Sequence, residues 1–412
     1  MDRRVLFASL ILLAGGATGV GVALFAFVGV DDATIDAEVV WESGPVAGDG
    51  DDGSGAVVAT MDGDPLVLQP AVADGDRTIR ATVAGGTVAW ETPLGDGVGA
   101  GDGTDPPTVS GLVTGALGDG DAVAFTTDSG ALVVLDAADG TDRFTVDLGG
   151  PSGLRPAMGD IDGDGDTEVA AATTDGRIVA VDAAGETVFR TALDGSIERR
   201  PLAVDFDGSD DADTEAIVTR GLAVATATDG GRTIRLLDGS GQAQWTTTPS
   251  VTPFTWSAAD SRDGPVIAIG GTNGNVETVD VADGGTRYEI GLQDLPVAVG
   301  DADPGRGHVA GSGSVWAVDL LDGEVVWKQQ YGGDTRVNTP YIGDVTGDGS
   351  PGPVAVNRDG GMLALNQQGE PIARGDVGGV VYSGPLFADV TGDGSDDVLV
   401  VTQTGRIVAF SD

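Results

Sequence analysis

Three stretches of the chain place acidic residues at every second position of a glycine-rich segment. The clearest is GDIDGDGDTE. Positions 1, 3, 5 and 9 of its loop are Asp160, Asp162, Asp164 and Glu168. Gly163 and Gly165 allow the backbone to curl so that these carboxylates converge. Hard oxygen ligands in a flexible loop suit Ca²⁺, which takes roughly six to eight oxygens. The spacing therefore predicts a calcium site.

The same spacing recurs twice nearer the carboxyl terminus. One copy contains Asp389, Thr391, Asp393 and Asp397. The other contains Asp344, Thr346 and Asp348, with Gly352 where the last carboxylate belongs. An EF-hand would need a glutamate at position 12 of the loop, and Ala171 stands there in the first stretch. The pattern thus predicts nine-residue loops that bind a structural Ca²⁺.

Overall acidity offers a competing explanation for these aspartates. Acidic residues number 65 against 21 basic ones, which gives a formal net charge of −44. Such a charge repels nucleic acid, so nucleic-acid binding is excluded. Lys328 is the single lysine, and strong acidity with few lysines is typical of proteins from extreme halophiles, whose surfaces are adapted to brine. Charge placed only for solubility has no reason to keep a fixed spacing, and the spacing therefore favours metal loops.

Cysteine and histidine, which serve many enzymes as nucleophile, base or metal ligand, are scarce. Cysteine is absent, which removes disulfides, thiolate nucleophiles and cysteine-ligated metals. The single histidine, His308, lies in a glycine-rich segment with no nucleophile elbow nearby. The sequence therefore predicts no catalytic triad.

The first thirty residues differ from the rest. Residues 5–30 carry no charge, and as a helix they would span roughly 39 Å, more than a bilayer core of about 30 Å. Arg3 and Arg4 precede this span and acidic residues follow it. The positive-inside rule then predicts a single-pass anchor in the cytoplasmic membrane, with residues 31–412 on the extracellular side.

The remaining chain is repetitive. A proline opens each of eight units, at Pro45, Pro107, Pro156, Pro201, Pro253, Pro296, Pro340 and Pro385. Each later unit contains four short segments rich in β-branched residues, separated by turn residues. Four strands repeated at this spacing, with little helical pattern, predict an all-β domain over residues 31–412, an eight-bladed β-propeller.

An aromatic residue follows the turn glycine of the last strand by four positions in six units. These pairs are Gly86 and Trp90, Gly140 and Phe144, Gly185 and Phe189, Gly241 and Trp245, Gly284 and Tyr288, and Gly323 and Trp327. The regular position predicts that these rings pack between neighbouring blades. Two tryptophans, Trp256 and Trp316, fall outside the pattern.

The ends of the chain complement each other. The eighth unit stops at RIVAFSD, after its third strand, whereas residues 35–42 resemble a fourth strand. This segment is predicted to complete the last blade, with Trp41 in its aromatic position. Closure of the ring would remove exposed sheet edges.

Two family resemblances arise from these motifs. SVWAVDLLDGEVVW, residues 314–327, resembles the repeat of quinoprotein-dehydrogenase-type (PQQ-like) eight-bladed propellers, a group that also includes non-enzymatic assembly lipoproteins of bacterial outer membranes. The three acidic stretches resemble the calcium loops of FG-GAP or VCBS repeats. These resemblances specify a fold more closely than a function, because propellers host many unrelated activities.

The sequence favours a non-enzymatic role. We expect a membrane-anchored, extracellular, calcium-binding propeller that acts as an interaction or adhesion scaffold for an unknown protein or surface polymer. One alternative is oxidation that depends on pyrroloquinoline quinone (PQQ), which the resemblance implies would require a tryptophan floor and a Ca²⁺. The absence of cysteine and the shortness of the inserts weigh against it. A second alternative is envelope assembly or secretion.

Overall fold

The computed structural model describes residues 35–45, 55–61, 63–73, 76–95, 107–206, 219–259, 261, 263–292, 298–303, 305–331 and 335–411. These residues form 34 β-strands. Among them, no helical segment has the length and hydropathy that a membrane crossing requires. The predicted membrane span, residues 5–30, lies outside the described residues.

The strands form eight sheets, or blades, which are numbered here along the chain and in which all but one of the described strand pairs are antiparallel. Two strands precede blade 1: β1 (Ile35–Asp36) and β2 (Glu38–Glu42). Blade 1 contains β3 (Val57–Met61), β4 (Asp64–Ala73), β5 (Asp76–Val83) and β6 (Val88–Pro93). Blade 2 contains β7 (Val113–Leu117), β8 (Gly120–Thr126), β9 (Ala131–Asp136) and β10 (Asp142–Asp147). Blade 3 contains β11 (Ala157–Gly159), β12 (Glu168–Ala172), β13 (Arg177–Val181) and β14 (Thr187–Ala192).

The remaining blades repeat this order. Blade 4 contains β15 (Ser196–Ile197), β16 (Leu202–Phe206), β17 (Thr219–Thr228), β18 (Gly231–Leu237) and β19 (Ala243–Thr247). Blade 5 contains β20 (Pro253–Ala259), β21 (Val266–Gly271), β22 (Asn275–Asp280) and β23 (Thr286–Gly291). Blade 6 contains β24 (Ala298–Asp303), β25 (Arg306–Ala310), β26 (Ser314–Asp319) and β27 (Val325–Gln330). Blade 7 contains β28 (Tyr341–Gly343), β29 (Gly352–Val356), β30 (Gly361–Leu365) and β31 (Pro371–Asp376). Blade 8 contains β32 (Leu386–Ala388), β33 (Asp397–Val401) and β34 (Ile407–Ser411).

The burial of each strand follows from its place in the blade. The two middle strands of blade 3, β12 and β13, are apolar and buried on both faces after their first residues, Glu168 and Arg177, because each blade is covered by a neighbour on either side. The outer strand β14 instead mixes exposed and buried residues. The first strands of successive blades contact one another around the ring, and β3 of blade 1 contacts β32 of blade 8. The predicted eight-bladed all-β propeller is confirmed.

The amino-terminal segment closes the last blade, as predicted. Strand β2 pairs antiparallel with β34, from Glu38 opposite Ser411 to Glu42 opposite Val408. Trp41 lies opposite Ala409, directly after a register shift. The same shift precedes Trp90 and Trp327 in their own blades, so Trp41 occupies the aromatic position of blade 8. Strand β1 pairs in parallel with β31 of blade 7 and adds a fifth strand to that sheet.

The predicted aromatic contacts between blades are confirmed. The ring of each residue lies against the turn glycine of the next blade, and a Cβ at Gly140 would lie 2.4 Å from Cε3 of Trp90. Equivalent contacts join Phe144 to Gly185, Phe189 to Gly241, Trp245 to Gly284, Tyr288 to Gly323 and Trp327 to Gly369. The indole N–H groups of three tryptophans also donate to carbonyls of the next blade: Trp90 to Ala137, Trp245 to Val281 and Trp327 to Gln367. Each contact couples one blade to its neighbour.

The two faces of the propeller differ in their loops. The hairpin face carries the hairpins between the first and second strands, including residues 160–167, 344–351 and 389–396. The connection face carries the segments that lead into each first strand and the turns between second and third strands. Backbone hydrogen bonds join these two kinds of loop, as from Ile197 N to Thr174 O and from Arg358 N to Arg336 O. The three predicted metal loops therefore lie on one face.

Candidate metal centres

The first acidic stretch forms the hairpin between β11 and β12. Gly159 at the end of β11 pairs with Glu168 at the start of β12, which places Asp160 beside Glu168 across the hairpin base. Gly163 and Gly165 have φ angles of 86° and 97°, a region that residues with a Cβ rarely adopt. The hairpin folds back on itself at these two glycines, as the sequence predicts.

Three of the four predicted ligands come together in this hairpin. Carboxylate oxygens of Asp160, Asp162 and Glu168 all lie within 4.8 Å of one another. In the part of the chain that the structure describes, this is the single group of three such residues. Asp164 lies outside it and accepts a hydrogen bond from Asp166 N at 2.9 Å.

Backbone amides hold two of these carboxylates in place. Asp160 Oδ1 accepts from Gly163 N at 2.7 Å and Asp160 Oδ2 from Gly165 N at 3.1 Å. Glu168 Oε2 accepts from Ile161 N at 2.8 Å and from Asp162 N at 3.3 Å. The side chains of Asp160 and Glu168 are buried. Oxygen ligands of this kind, fixed by the backbone and shielded from water, are suited to a hard divalent cation.

Burial and like charge perturb the acids of this hairpin. Burial raises the pKa of Glu168 to about 7, and the charges of Asp162 and Asp164 act in the same direction, against the hydrogen bonds from the backbone. Burial also raises the pKa of Asp162, and the negative charges of Asp164 and Asp160 act in the same direction. A bound cation would relieve both effects, because an opposite charge favours the ionised carboxylate.

In the metal-free protein, Glu168→Gln is expected to flatten the dependence of stability on pH between about 4.5 and 7. The pKa of Glu168 in the folded state, about 7, exceeds the ordinary value of 4.5, so the folded state binds more protons in this window. Stability therefore falls as pH rises through the window, and the fall is complete above the folded pKa. Thermal unfolding in chelator across this pH range measures the effect.

The control for this prediction is Glu186→Gln, which changes the same charge at an exposed position of blade 3. Its pH profile should match that of the parent protein. A Glu168→Gln profile with the parent's slope would contradict the prediction.

An arginine from blade 4 also neutralises the hairpin. Arg220 Nη1 lies 3.1 Å from Asp160 Oδ2, and its Nε donates to Asp205 Oδ1 at 2.9 Å. Asp205 is the counterpart of Asp160 in the repeat, because each lies four residues after the proline that opens its unit. The sequence carried no signal for this pairing, because Arg220 lies in an apolar strand of a different blade.

Blade 8 repeats the arrangement in part. Asp397, the first residue of β33, is buried, and its Oδ2 accepts from Val390 N, Thr391 N and Thr391 Oγ1 at 2.8–3.1 Å. Asp389 accepts from three amides of the loop, those of Gly392, Asp393 and Gly394. Asp397 Oδ1 is buried and has no hydrogen-bond partner among the described residues. An unpaired buried carboxylate oxygen costs free energy, and a cation at this point would satisfy it.

Asp393 contributes its backbone amide to this arrangement, whereas its carboxylate bonds to Ser395. Asp393 is exposed, and its Oδ1 accepts from Ser395 N at 2.9 Å and from the Ser395 hydroxyl. The hydroxyl bond lowers the pKa of Asp393. The structure thus places Asp389, Thr391 and Asp397 around the hairpin base of blade 8 and leaves Asp393 at its tip.

Blade 7 lacks the last carboxylate for a steric reason. A Cβ at Gly352 would lie 2.1 Å from the carbonyl oxygen of Leu365. Asp344 Oδ2 accepts from Gly349 N at 2.8 Å, while its buried Oδ1 has no partner in the described structure. Thr346 and Asp348 are exposed.

The hairpin of blade 8 contacts this incomplete loop. Asp344 N donates to Asp396 Oδ2 at 2.8 Å, and Asp396 N donates to Asp344 O at 3.0 Å. Asp396 therefore supplies a carboxylate beside the loop of blade 7 from the neighbouring blade. Sequence reasoning missed it, because the residue belongs to a different repeat.

The other candidates from the sequence lie elsewhere. His308 is a buried residue of β25, with its ring centroid 5.8 Å from that of Trp327. Trp316 is buried in β26, and the Lys328 ammonium lies 4.8 Å from its ring centroid. Trp256 is buried in the first strand of blade 5 and donates its indole N–H to Arg200 O.

The architecture and repeat together define the class of protein. The chain is an eight-bladed β-propeller of repeated four-stranded units, in which the aspartate that ends a third strand, such as Asp136, caps the following turn and the aromatic residue contacts the next blade. The family model described as outer membrane protein assembly factor BamB matches residues 230–412, from the middle of blade 4 to the carboxyl terminus.

Solved structures share this fold at low sequence identity. The crystal structure of BamB from Moraxella catarrhalis matches with a TM-score of 0.56 and 20% identity, over 91% of this chain and 98% of that one. Sqt1 from Saccharomyces cerevisiae matches with a TM-score of 0.62 and 12% identity, over 92% and 100%. The computationally designed Ika8 protein matches with a TM-score of 0.62 and 15% identity, over 90% and 100%. No curated protein matches the chain by sequence.

Proposed function

We propose that this protein is a non-enzymatic interaction scaffold whose blades are stabilised by Ca²⁺ in the hairpins of blades 3 and 8. The observation that carries the metal proposal is the unpaired, buried Oδ1 of Asp397, at the hairpin position that Glu168 occupies in blade 3. Asp160, Asp162 and Glu168 would hold the ion in blade 3, and Asp389, Thr391 and Asp397 in blade 8. When bound, Ca²⁺ would supply charge neutralisation to carboxylates that otherwise repel one another.

Calcium is expected to raise the melting temperature of the full-length protein relative to chelator, because a ligand that binds only the folded state stabilises it. At a Ca²⁺ concentration about 100 times Kd, the stabilisation is about 2.7 kcal/mol. Asp397→Asn and Glu168→Gln should each reduce the shift, and the double substitution should remove most of it. Differential scanning calorimetry in high salt measures these shifts.

The matched control is Asp229→Asn, which removes the same charge from an exposed turn of blade 4 on the connection face. It should keep the whole calcium shift. If calcium raises the melting temperature equally in all variants, the ion acts by general charge screening, and the proposal for these hairpins is wrong.

The proposal of a scaffold without a quinone cofactor is supported by the contacts that three tryptophans make between blades. Trp90, Trp245 and Trp327 are engaged by hydrogen bonds to the next blade, and their indole rings are covered by glycine turns. A quinone cofactor that stacks on a tryptophan would therefore have to use another residue. The absorbance spectrum of the purified protein tests this point. A bound-quinone band would overturn the non-enzymatic proposal in favour of a PQQ-dependent oxidoreductase.

The expected partner is another protein or a surface polymer. Affinity purification of the full-length protein from its own cells, after chemical crosslinking, should recover such a partner in stoichiometric amounts. A matched preparation of the propeller carrying Asp229→Asn should recover the same partner. Recovery of the protein alone under all crosslinking conditions would count against a scaffold.

The site of action follows from the apolar residues 5–30, which would anchor the chain in the cytoplasmic membrane with the propeller on the extracellular side. Protease added to intact cells should then degrade the propeller. Protection of the propeller in intact cells, with digestion after lysis, would reverse the assigned orientation.

A second function, envelope assembly or secretion, is favoured by one observation, the match of residues 230–412 to the model described as outer membrane protein assembly factor BamB. Deletion of the gene would then reduce the amounts of several surface proteins at once. An unchanged surface proteome would leave the interaction scaffold as the better function.

A further inference from the structure

The connection face contains a cavity that is separate from the acidic hairpins, which lie on the hairpin face. Its volume is about 200 Å³, and its walls come from the first strands of blades 5, 6 and 7 and from the segment that leads into blade 4. Among the residues that line it are Arg199, Arg200, Phe254, Trp256, Thr339 and Tyr341. Residues with basic, aromatic and hydroxyl-bearing side chains therefore line the cavity.

The two arginines of this cavity have no carboxylate partner among the described residues. Arg199 donates to the backbone carbonyls of Pro253 and Glu198, at 3.0 Å each. The Arg200 side chain makes no hydrogen bond or ion pair to the described residues, although Trp256 holds its backbone carbonyl in place. In a chain with 65 acidic and 21 basic residues, arginines without acidic partners are unexpected.

Other arginines of the propeller are paired. Arg143 lies 2.8 Å from Asp136, and Arg287 lies 2.7 Å from Asp280. Acidic partners are thus readily found elsewhere in the fold. None of the described residues that line the cavity is acidic, and the carboxylate of the adjacent Glu198 pairs with Arg232 instead, so the cavity is locally positive in a strongly negative protein.

Two more arginines extend this positive charge. The Arg336 guanidinium lies 4.5 Å from the ring centroid of Phe254, which itself lines the cavity. The Arg358 guanidinium lies 4.7 Å from the ring centroid of Tyr382. Burial lowers the pKa of Arg336, and the positive charge of Arg358 acts in the same direction. The two groups therefore repel each other, and an anion between or beside them would be stabilised.

The lining identifies the chemistry of the ligand. Guanidinium groups bind carboxylates through paired N–H donors, and aromatic walls favour a flat or apolar portion next to the charge. The cavity is small, and the overall negative charge of the chain opposes the approach of a large polyanion. We infer that this cavity binds a small organic acid through Arg199 and Arg200, with Arg336 contributing from the rim.

Isothermal titration calorimetry of the full-length protein with benzene-1,3,5-tricarboxylate tests this inference, with benzene-1,3,5-tricarboxamide as the uncharged control. The acid should bind and the amide should not. Arg200→Gln should weaken binding by roughly tenfold or more, since a hydrogen bond to a charged group is lost. Arg336→Gln should weaken it by a smaller factor.

The matched control is Arg190→Gln, which removes the same charge from the exposed outer strand β14 and should leave the affinity unchanged. Melting temperatures of all variants establish that they fold. Four outcomes would overturn the inference: no binding of the acid, equal binding of the amide, full affinity in folded Arg200→Gln, or binding of a hexaglutamate peptide without binding of the tricarboxylate. The last would assign the surface to a protein segment.

Discussion

A chain without residues 1–42 is expected to lose about 3 kcal/mol or more of free energy of unfolding and to self-associate. Removal of β2 leaves β34 as an unpaired sheet edge, which is a template for pairing with another chain. Each backbone hydrogen bond of the ladder contributes about 0.5–1.5 kcal/mol, and Trp41 also leaves the core of blade 8. Urea unfolding measures the loss of stability, and size-exclusion chromatography measures self-association.

The control chain lacks residues 1–34 only and so keeps β2. It should unfold at the same urea concentration as the parent and elute as a single species. Ser43 supports this design, because its N–H donates to Ile407 O and its hydroxyl accepts from Ile407 N, which fixes the end of β2 against blade 8. Equal stability of the two truncated chains would show that ring closure contributes little.

The second large effect is expected for Trp245→Ala, with a loss of about 3–5 kcal/mol of free energy of unfolding. The Trp245 side chain is 9% exposed, and a Cβ at Gly284 would lie 2.6 Å from its Cε3. The substitution removes this contact between blades 4 and 5 and leaves the Val281 carbonyl without its donor, which lies at 2.7 Å. Denaturant unfolding followed by circular dichroism measures the change.

Two further variants distinguish the loss of the aromatic contact from the loss of the hydrogen bond and from a nonspecific effect. Trp245→Phe keeps most of the ring but removes the N–H donor, so it should cost about 1–2 kcal/mol. Val326→Ala alters an exposed apolar residue of the outer strand β27 and should change stability by about 0.5 kcal/mol or less. If Trp245→Ala and Val326→Ala have the same stability, the aromatic contact does not hold the blades together.

The propeller could be predicted from the sequence because its signals are local. The turn glycine and the aromatic residue four positions later recur in six units, and each of these pairs lies within a single unit of the sequence. The closure by residues 35–42 could also be predicted, since the missing strand at one end matches an extra strand at the other.

The arrangement of the acidic hairpins could be predicted only in part. The sequence identified Asp160, Asp162 and Glu168 from their spacing, and the structure brings these three together. The sequence alone could not distinguish these three residues from Asp164 and Asp393, which have the right spacing but lie at the exposed tips of their hairpins. The spacing shows where each acidic residue lies along the loop. The direction in which its side chain points depends on the strand pairing at the hairpin base.

The polar contacts between blades, unlike the aromatic ones, were decided by the tertiary structure alone. Arg220 reaches Asp160, and Asp396 bonds to Asp344, because the ring places each blade beside the next. The arginines of the connection face gather for the same reason, from the segments that lead into blades 4 and 7.

The sequence by itself determined the number of blades, their aromatic contacts and the hairpins that carry the acids. These features repeat along the chain, and each is encoded within a single unit. Only the tertiary structure decided which carboxylates meet a neighbouring arginine and which stay unpaired. It also decided where the arginines that have no carboxylate partner among the described residues collect. Those arrangements join residues of different units, and no local pattern encodes a distance across the ring.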